Sequence, residues 1–240
     1  MKSSVDVRPS AARDRTKIAW LDSKHSFSFG THYDPANTHH GLLLVSNDDI
    51  VLPGTGFETH PHRDMEIVTW VLQGSLVHQD SIGNSGVIYP GLAQRMSAGR
   101  GILHSEKNDG AVEPVHFVQM WVVPDEPGLT PGYEQLEIAD ELLRGGLVPV
   151  ASGRPEHSAI RIRNRHAALY VARLGSGASV QLPDAPFLHV FVARGAVVLE
   201  GSGPLAEGDA ARLTGVGGPR VTASEPAEVL VWEMHATIAA

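Results

Sequence analysis

The chain has no cysteine among its 240 residues. That absence removes disulfides, thiolate metal ligands and cysteine nucleophiles together. Any bound metal must therefore be held by imidazole and carboxylate, donors that suit Fe, Mn, Ni, Cu, Co or Zn. Basic residues are also scarce: 19 Lys and Arg against 27 Asp and Glu leave a formal charge of −8. This argues against a nucleic-acid partner, whose binding proteins present a basic face. No run approaches the ~18 apolar residues of a membrane helix. The opening MKSSVDVRPSAARDRTKIAW is polar and lacks the apolar centre of a secretory signal. The expectation is a cytoplasmic protein without membrane contact.

Hydrophobic residues make up 42% of the chain, enough for a substantial core, and 25 Gly with 16 Pro favour many short strands joined by turns. Strand-like runs recur at 41–47, 66–72, 115–123, 168–174, 188–193, 196–201 and 227–234. The one helical stretch is short, around 137–143. WVLQGSLV (70–77) with IYPGLAQRMS (88–97) resembles FVARGAVV (191–198) with PLAEGDAARLT (204–214). The spacing from Gly91 to Met96 equals that from Gly208 to Leu213, so the chain reads as two related β-domains. A Pro-, Gly- and acid-rich stretch, 124–146, lies between them as a connector.

The chemistry concentrates in the first half. In GFETHPHRDMEI (56–67), alternation along a strand points His60 and His62 to one face, with Glu66 sharing their parity. Pro61 confines this segment to an edge, a strand start or a bulge. MSAGRGILHSEKN (96–108) adds His104 and Glu106, again two apart. Three imidazoles and a carboxylate are costly to bury unpaired, and a divalent cation offsets that cost. Such a centre keeps open positions for water, oxygen or substrate. Parity does not choose between Glu66 and Glu106 as the carboxylate ligand. The second half has no HxH, and its His157, His166, His189 and His235 are scattered.

Other groups have blander readings. GRGILH (99–104) lacks the lysine and helix of a phosphate loop and reads as a tight turn delivering His104, with Arg100 near the mouth or in solvent. His78 and Asp80 read as a turn network before the bend at Gly83–Asn84, and the other N-terminal histidines as surface residues. His25 is a candidate pocket-lining group. Phe57 and Met96 flank the ligand segments and could form an apolar wall, with core packing the favoured reading for each. Met65, Trp70, Met120 and Trp121 are core by default.

THPHRDMEIVTWVLQGSLVHQDSIGN (59–84) and MSAGRGILHSE (96–106) resemble the two signatures of the pirin family of bicupins. WLDSKHSFSFGTHYDP (20–35) and PGYEQ (131–135) are similar to its N-terminal and linker stretches. The resemblance implies an all-β bicupin: two antiparallel, jelly-roll β-barrels packed face to face. It divides the chain into a metal-binding N-terminal cupin domain (1–130), a linker (131–146) and a cupin-like C-terminal domain without metal ligands (147–240). It also implies the ligand set His60, His62, His104 and Glu106, with Fe2+ as the usual ion and Glu66 left in the surroundings. Bacterial members resemble quercetin 2,3-dioxygenases, so the implied substrates are O2 and a small flavonol-like aromatic. Glu106, a carboxylate within reach of the flavonol hydroxyl, is the candidate base. The rival expectation is a non-catalytic, iron-binding regulator acting through a protein partner. A sugar isomerase has thinner support, since only Arg63, Arg95 and Arg100 lie near the site region.

Overall fold

The computed structural model describes residues 2–157 and 159–238. β-Branched and aromatic runs punctuated by Gly and Pro give strands along most of the chain. The first six are β1 (Ser4–Arg8), β2 (Asp14–Lys17), β3 (Leu21–His25), β4 (Leu43–Val51), β5 (Thr55–His62) and β6 (Glu66–Gln73). Next come β7 (Leu76–Asp80), β8 (Ser85–Ile88), β9 (Leu92–Ser97), β10 (Ile102–Asn108), β11 (Val115–Val122) and β12 (Gly132–Glu137). After a short helix, α1 (Ala139–Leu143), follow β13 (Val148–Ser152), β14 (Ile160–Arg161), β15 (Ala167–Leu174), β16 (Ser179–Gln181) and β17 (Phe187–Arg194). The chain closes with β18 (Ala196–Leu199), β19 (Gly203–Ala206), β20 (Ala210–Thr214), β21 (Arg220–Ala223) and β22 (Ala227–Met234). No helix of the described residues is long and apolar enough to cross a membrane.

The sheets form two copies of one plan. The first barrel has a seven-stranded sheet, β12-β9-β6-β11-β4-β3-β2, and a four-stranded one, β5-β10-β7-β8. The second has β1-β20-β17-β22-β15-β13-β14 and β16-β21-β18-β19. The faint sequence repeat is thus a structural one, with β6, β7 and β9 matching β17, β18 and β20. Gly74 and Gly195 turn the matching hairpins at φ 75° and 72°. A side chain at either would run into the preceding proline carbonyl of the neighbouring strand, Pro114 or Pro226. Arg95 and Arg212, paired by the repeat, are both buried. Arg95 donates to Glu134 of β12 at 2.8 Å, and Arg212 to Asn37 Oδ1 at 2.7 Å.

The two large sheets pack face to face. Every residue of β6 but its last, and every residue of β22, is buried. Such runs mark strands covered on both faces, by their own barrel and by its partner. Phe27, Trp70, Met120, Phe191 and Trp232 share one apolar cluster between the sheets. Each side chain of this kind contributes ~1.5–3 kcal/mol by leaving water. A polar bond crosses the same interface: Trp70 Nε1 donates to Glu228 Oε1 at 2.6 Å, and Arg173 Nε, opposite Glu228 within the second barrel, donates to its Oε2 at 2.6 Å.

Two segments lie across the division expected from the sequence. Gly132–Glu137, in the expected linker, is β12 and pairs with β9 of the first barrel through six residues. Ser4–Arg8, expected in the first domain, is β1 and pairs with β20 of the second. Each thereby supplies partners for the backbone groups of a sheet edge.

Candidate metal centre

His60 and His104 sit directly opposite each other on β5 and β10, and His62 lies opposite Ile102. Facing residues of an antiparallel pair place their Cβ atoms ~5 Å apart on one side of the sheet. The register slips between His104 and Glu106, so that Glu106 faces Phe57. One extra β5 residue is accommodated there, which turns both Phe57 and His60 inward although their spacing is odd. Pro61 is tolerated because β5 is an edge strand. The GRGILH stretch is the expected turn: Gly99 has φ 47°, and a side chain there would strike the Leu129 carbonyl.

The three imidazoles converge. Their ring centroids lie 4.5 Å (His60–His104), 4.8 Å (His60–His62) and 4.9 Å (His62–His104) apart. One ligating nitrogen from each can be chosen so that all three lie within 4.8 Å of one another. His60 Nδ1 donates to the Glu58 carbonyl at 2.7 Å, leaving Nε2 as its bare nitrogen, 3.1 Å from His104 Nε2. His62 Nε2 is buried without any hydrogen-bond partner. Burial, reinforced by the neighbouring imidazoles, pushes both His62 and His104 down to about 3, so both are neutral at pH 7. Neutral rings with lone pairs aimed at one point and nothing to receive them fit a divalent cation.

Glu106 is buried beside them. Gln119 Nε2 lies 2.9 and 2.8 Å from its two oxygens, and Trp121 Nε1 donates to Gln119 Oε1 at 3.1 Å. An indole is only a donor, so it fixes the amide with its NH2 towards Glu106. Burial raises the Glu106 carboxyl above its ordinary value, with the Gln119 bond opposing. Glu106 forms a second close group with His104 and His78. It also lines, with His60 and His62, a cavity of 230 Å3 whose other walls include Phe29, Phe57 and Trp121. A polar row from β3 and β4, namely Ser23, His25, Asn47 and Asp49, completes the lining.

Several sequence expectations change here, and others hold. Glu66 does not share a face with His60 and His62: β5 stops at His62, Asp64 adopts φ 48°, and Glu66 opens β6 in the other sheet. It accepts instead from Ser97 Oγ at 2.8 Å and from the Arg163 amide at 3.0 Å. Met96 packs with Ile67, Ala98 and Ile102 and does not line the cavity, whereas Trp121 does. His25 lines the cavity, held by Asn47 Oδ1 at 2.9 Å and Thr16 Oγ1 at 2.8 Å. His40 is no free surface group, since its Nε2 lies 3.1 Å from the Leu188 carbonyl. Asp80 makes the expected turn, but His78 is fully buried and faces His104.

The second barrel holds nothing comparable among the described residues. Where Glu106 meets Phe57 and His78 across the small sheet, Val221 meets Val180 and Leu199. These three belong to an apolar core. A larger cleft of 690 Å3 between the barrels includes His116, Arg173 and Glu228 but no close group of metal-ligating side chains.

This geometry agrees with what the chain resembles. The Pirin family profile matches residues 7–122, and that of the quercetinase C-terminal cupin domain matches 149–234. A Mycobacterium tuberculosis protein named "Putative quercetin 2,3-dioxygenase Rv0181c" is 64% identical over 239 residues, covering 99% of this chain and 98% of its own. The Escherichia coli quercetin 2,3-dioxygenase is 49% identical over 131 residues, 55% of this chain and 57% of its own. The crystal structure of the bacterial pirin YhhW from Escherichia coli in complex with nickel(II) superposes with a TM-score of 0.90 at 34% identity, covering 98% of this chain and all of that one. The two-cupin architecture, the paired signatures and the near full-length relatives lead to one conclusion: the chain belongs to the pirin family.

Proposed function

We propose that the protein is a metal-dependent dioxygenase that cleaves a flavonol such as quercetin with O2 and releases carbon monoxide. One observation carries this reading: three imidazoles converge, with the buried carboxylate of Glu106 beside them, at a cavity that Phe29, Phe57 and Trp121 line together with a polar row. In this reading, His60, His62 and His104 would hold the ion through imidazole nitrogens and Glu106 through a carboxylate oxygen. Iron(II) is the resident ion of this reading, and Mn, Ni, Cu, Co and Zn suit the same donors. Such an ion supplies Lewis acidity towards the flavonol 3-hydroxyl.

The protein's own groups do the rest. Glu106 accepts the hydroxyl proton, a role favoured by a carboxyl raised towards neutrality. Gln119, aligned by Trp121, holds Glu106 in place. Phe29, Phe57 and Trp121 offer aromatic faces to a planar substrate and exclude water. The electron-rich flavonolate then reacts with O2, both oxygen atoms entering the ring-opened ester while C3 leaves as carbon monoxide.

The test is aerobic addition of quercetin to metal-loaded protein of measured metal content. Loss of the flavonol absorbance band with one carbon monoxide released per flavonol is the expected result. Fully metallated protein that leaves quercetin intact contradicts the proposal and points to the regulatory role. Glu106→Gln, with metal still bound, is expected to lower turnover by roughly 10²–10⁴-fold.

A further inference from the structure

His104 is engaged through both ring nitrogens. Its Nε2 faces His60 Nε2 at 3.1 Å, and its Nδ1 faces His78 Nδ1 at 3.3 Å. The far side of His78 ends on a carboxylate, with Nε2 3.3 Å from Asp80 Oδ2 and both side chains shut off from solvent. Asp80 is anchored in its turn. Its Oδ1 accepts from the amides of Ile82 (3.1 Å) and Asn84 (2.9 Å), and its Oδ2 from Asn84 Nδ2 at 2.9 Å. Burial alone would raise this carboxyl, yet these bonds hold it below its ordinary value. An ionised carboxylate only accepts.

The protons along this row follow one by one. Asp80 accepts, so His78 Nε2 carries a hydrogen. In the tautomer with its single hydrogen on that nitrogen, His78 Nδ1 is a bare acceptor. The nitrogen facing it, His104 Nδ1, must then carry the hydrogen of its own ring. His104 Nε2 is left with a lone pair, aimed at the point where His60 Nε2 and His62 also aim. The His78 ring cannot easily turn out of this arrangement: Tyr133 of β12 stacks on it at 4.7 Å and 26°. A strand from the connector between the barrels thus packs behind the centre.

We propose that Asp80 and His78 are positioning residues for the metal: they fix the tautomer and ring orientation of His104 so that it binds through Nε2, with Tyr133 holding His78 in register. The inference rests on the metal reading of the site but not on flavonol cleavage. A competing arrangement exists on the same residues. His78, His104 and Glu106 have ligating atoms within 4.8 Å of one another, and a metal there would take His78 Nδ1 and His104 Nδ1, leaving no hydrogen between them.

The tautomers can be read directly from a long-range 1H–15N correlation spectrum of the imidazoles in the Zn2+-loaded wild type. The expected pattern is a hydrogen on His104 Nδ1 with a metal-shifted Nε2, and a hydrogen on His78 Nε2 with a bare Nδ1. A hydrogen on His78 Nδ1, ligation through His104 Nδ1, or uptake of a second zinc equivalent overturns the proposal. Chelator competition gives an independent readout. His78→Leu should weaken zinc binding by about 10–100-fold, the usual effect of losing a partner behind a ligand. His78→Asn, which restores an acceptor oxygen near the Nδ1 position, should recover most of that loss. Equal zinc affinity in all three proteins contradicts the inference, and if His78→Leu does not fold, the wild-type spectrum decides alone. Protein that binds zinc as described but spares quercetin refutes the dioxygenase reading and leaves this one standing, whereas wild type that takes up no zinc refutes both.

Discussion

Asp49 is fully enclosed, and its Oδ1 has no hydrogen-bond partner although the residue lines the cavity. Burial, with added repulsion from Asp48 and Glu106, raises its carboxyl from 3.8 to about 7. In metal-free protein the native state therefore keeps this proton between pH 4 and 7, where the unfolded chain has released it. Native protein binds more protons there, so stability present below pH 4 is lost as pH rises to about 7. Asp49→Asn should flatten that slope, with a ceiling of roughly 4 kcal/mol at 1.36 kcal/mol per pH unit. Urea melts of the chelated proteins at pH 4.5 and 7.5 check it, and equal slopes for wild type and variant refute the assignment. At this scale the sequence was legible where strand alternation applies. His60, His62, His104 and Glu106 could be placed on inward faces because β5 and β10 are extended. Glu66 was misplaced because the left-handed Asp64 breaks the strand, and no alternation pattern announces such a break. His78 was missed as a neighbour of His104 because their approach depends on β7 pairing with β10, 26 residues away.

Among the elements, the long central strands were readable as near-continuous apolar runs. The short ones were not: β14 is two residues long and β16 three, too short to show a period. The hairpin turns at Gly74 and Gly195 were visible as a repeat, and their backbone demand explains why. At Gly195 an added Cβ would collide with the Pro226 carbonyl, whereas at Gly83, φ 96°, it would meet nothing within 4 Å. Both substitutions incur backbone strain of ~1–2 kcal/mol, but only the first adds a steric conflict. Gly195→Ala should thus lower stability clearly more than Gly83→Ala in paired thermal melts. Equal losses refute the close approach. β12 was hidden in a stretch whose Pro, Gly and acids suggest a surface connector, yet its tyrosine packs on His78 and its Glu134 receives Arg95.

For the whole molecule, the sequence repeat foretold two related β-domains and the family resemblance two barrels, but neither told which side chains meet between them. That depends on Trp70, Met120, Phe191 and Trp232, each of which would serve equally well inside a barrel. Trp232 is enclosed, with Nε1 3.2 Å from Met120 Sδ across the interface. Trp232→Ala is expected to cost about 3–5 kcal/mol in urea unfolding. A loss below ~1 kcal/mol would show that the sheets do not rely on this contact. Among the described residues, the second barrel, with its inner wall of Val180, Leu199 and Val221, holds no close group of metal-ligating side chains. Anomalous diffraction from metal-replete crystals, measured at the absorption edge of the bound ion, tests the account at its root. The account predicts one strong peak per chain, ~2.0–2.2 Å from Nε2 of His60, His62 and His104 and from a carboxylate oxygen of Glu106. No peak at that point, or a peak held by a different set of side chains, would contradict it.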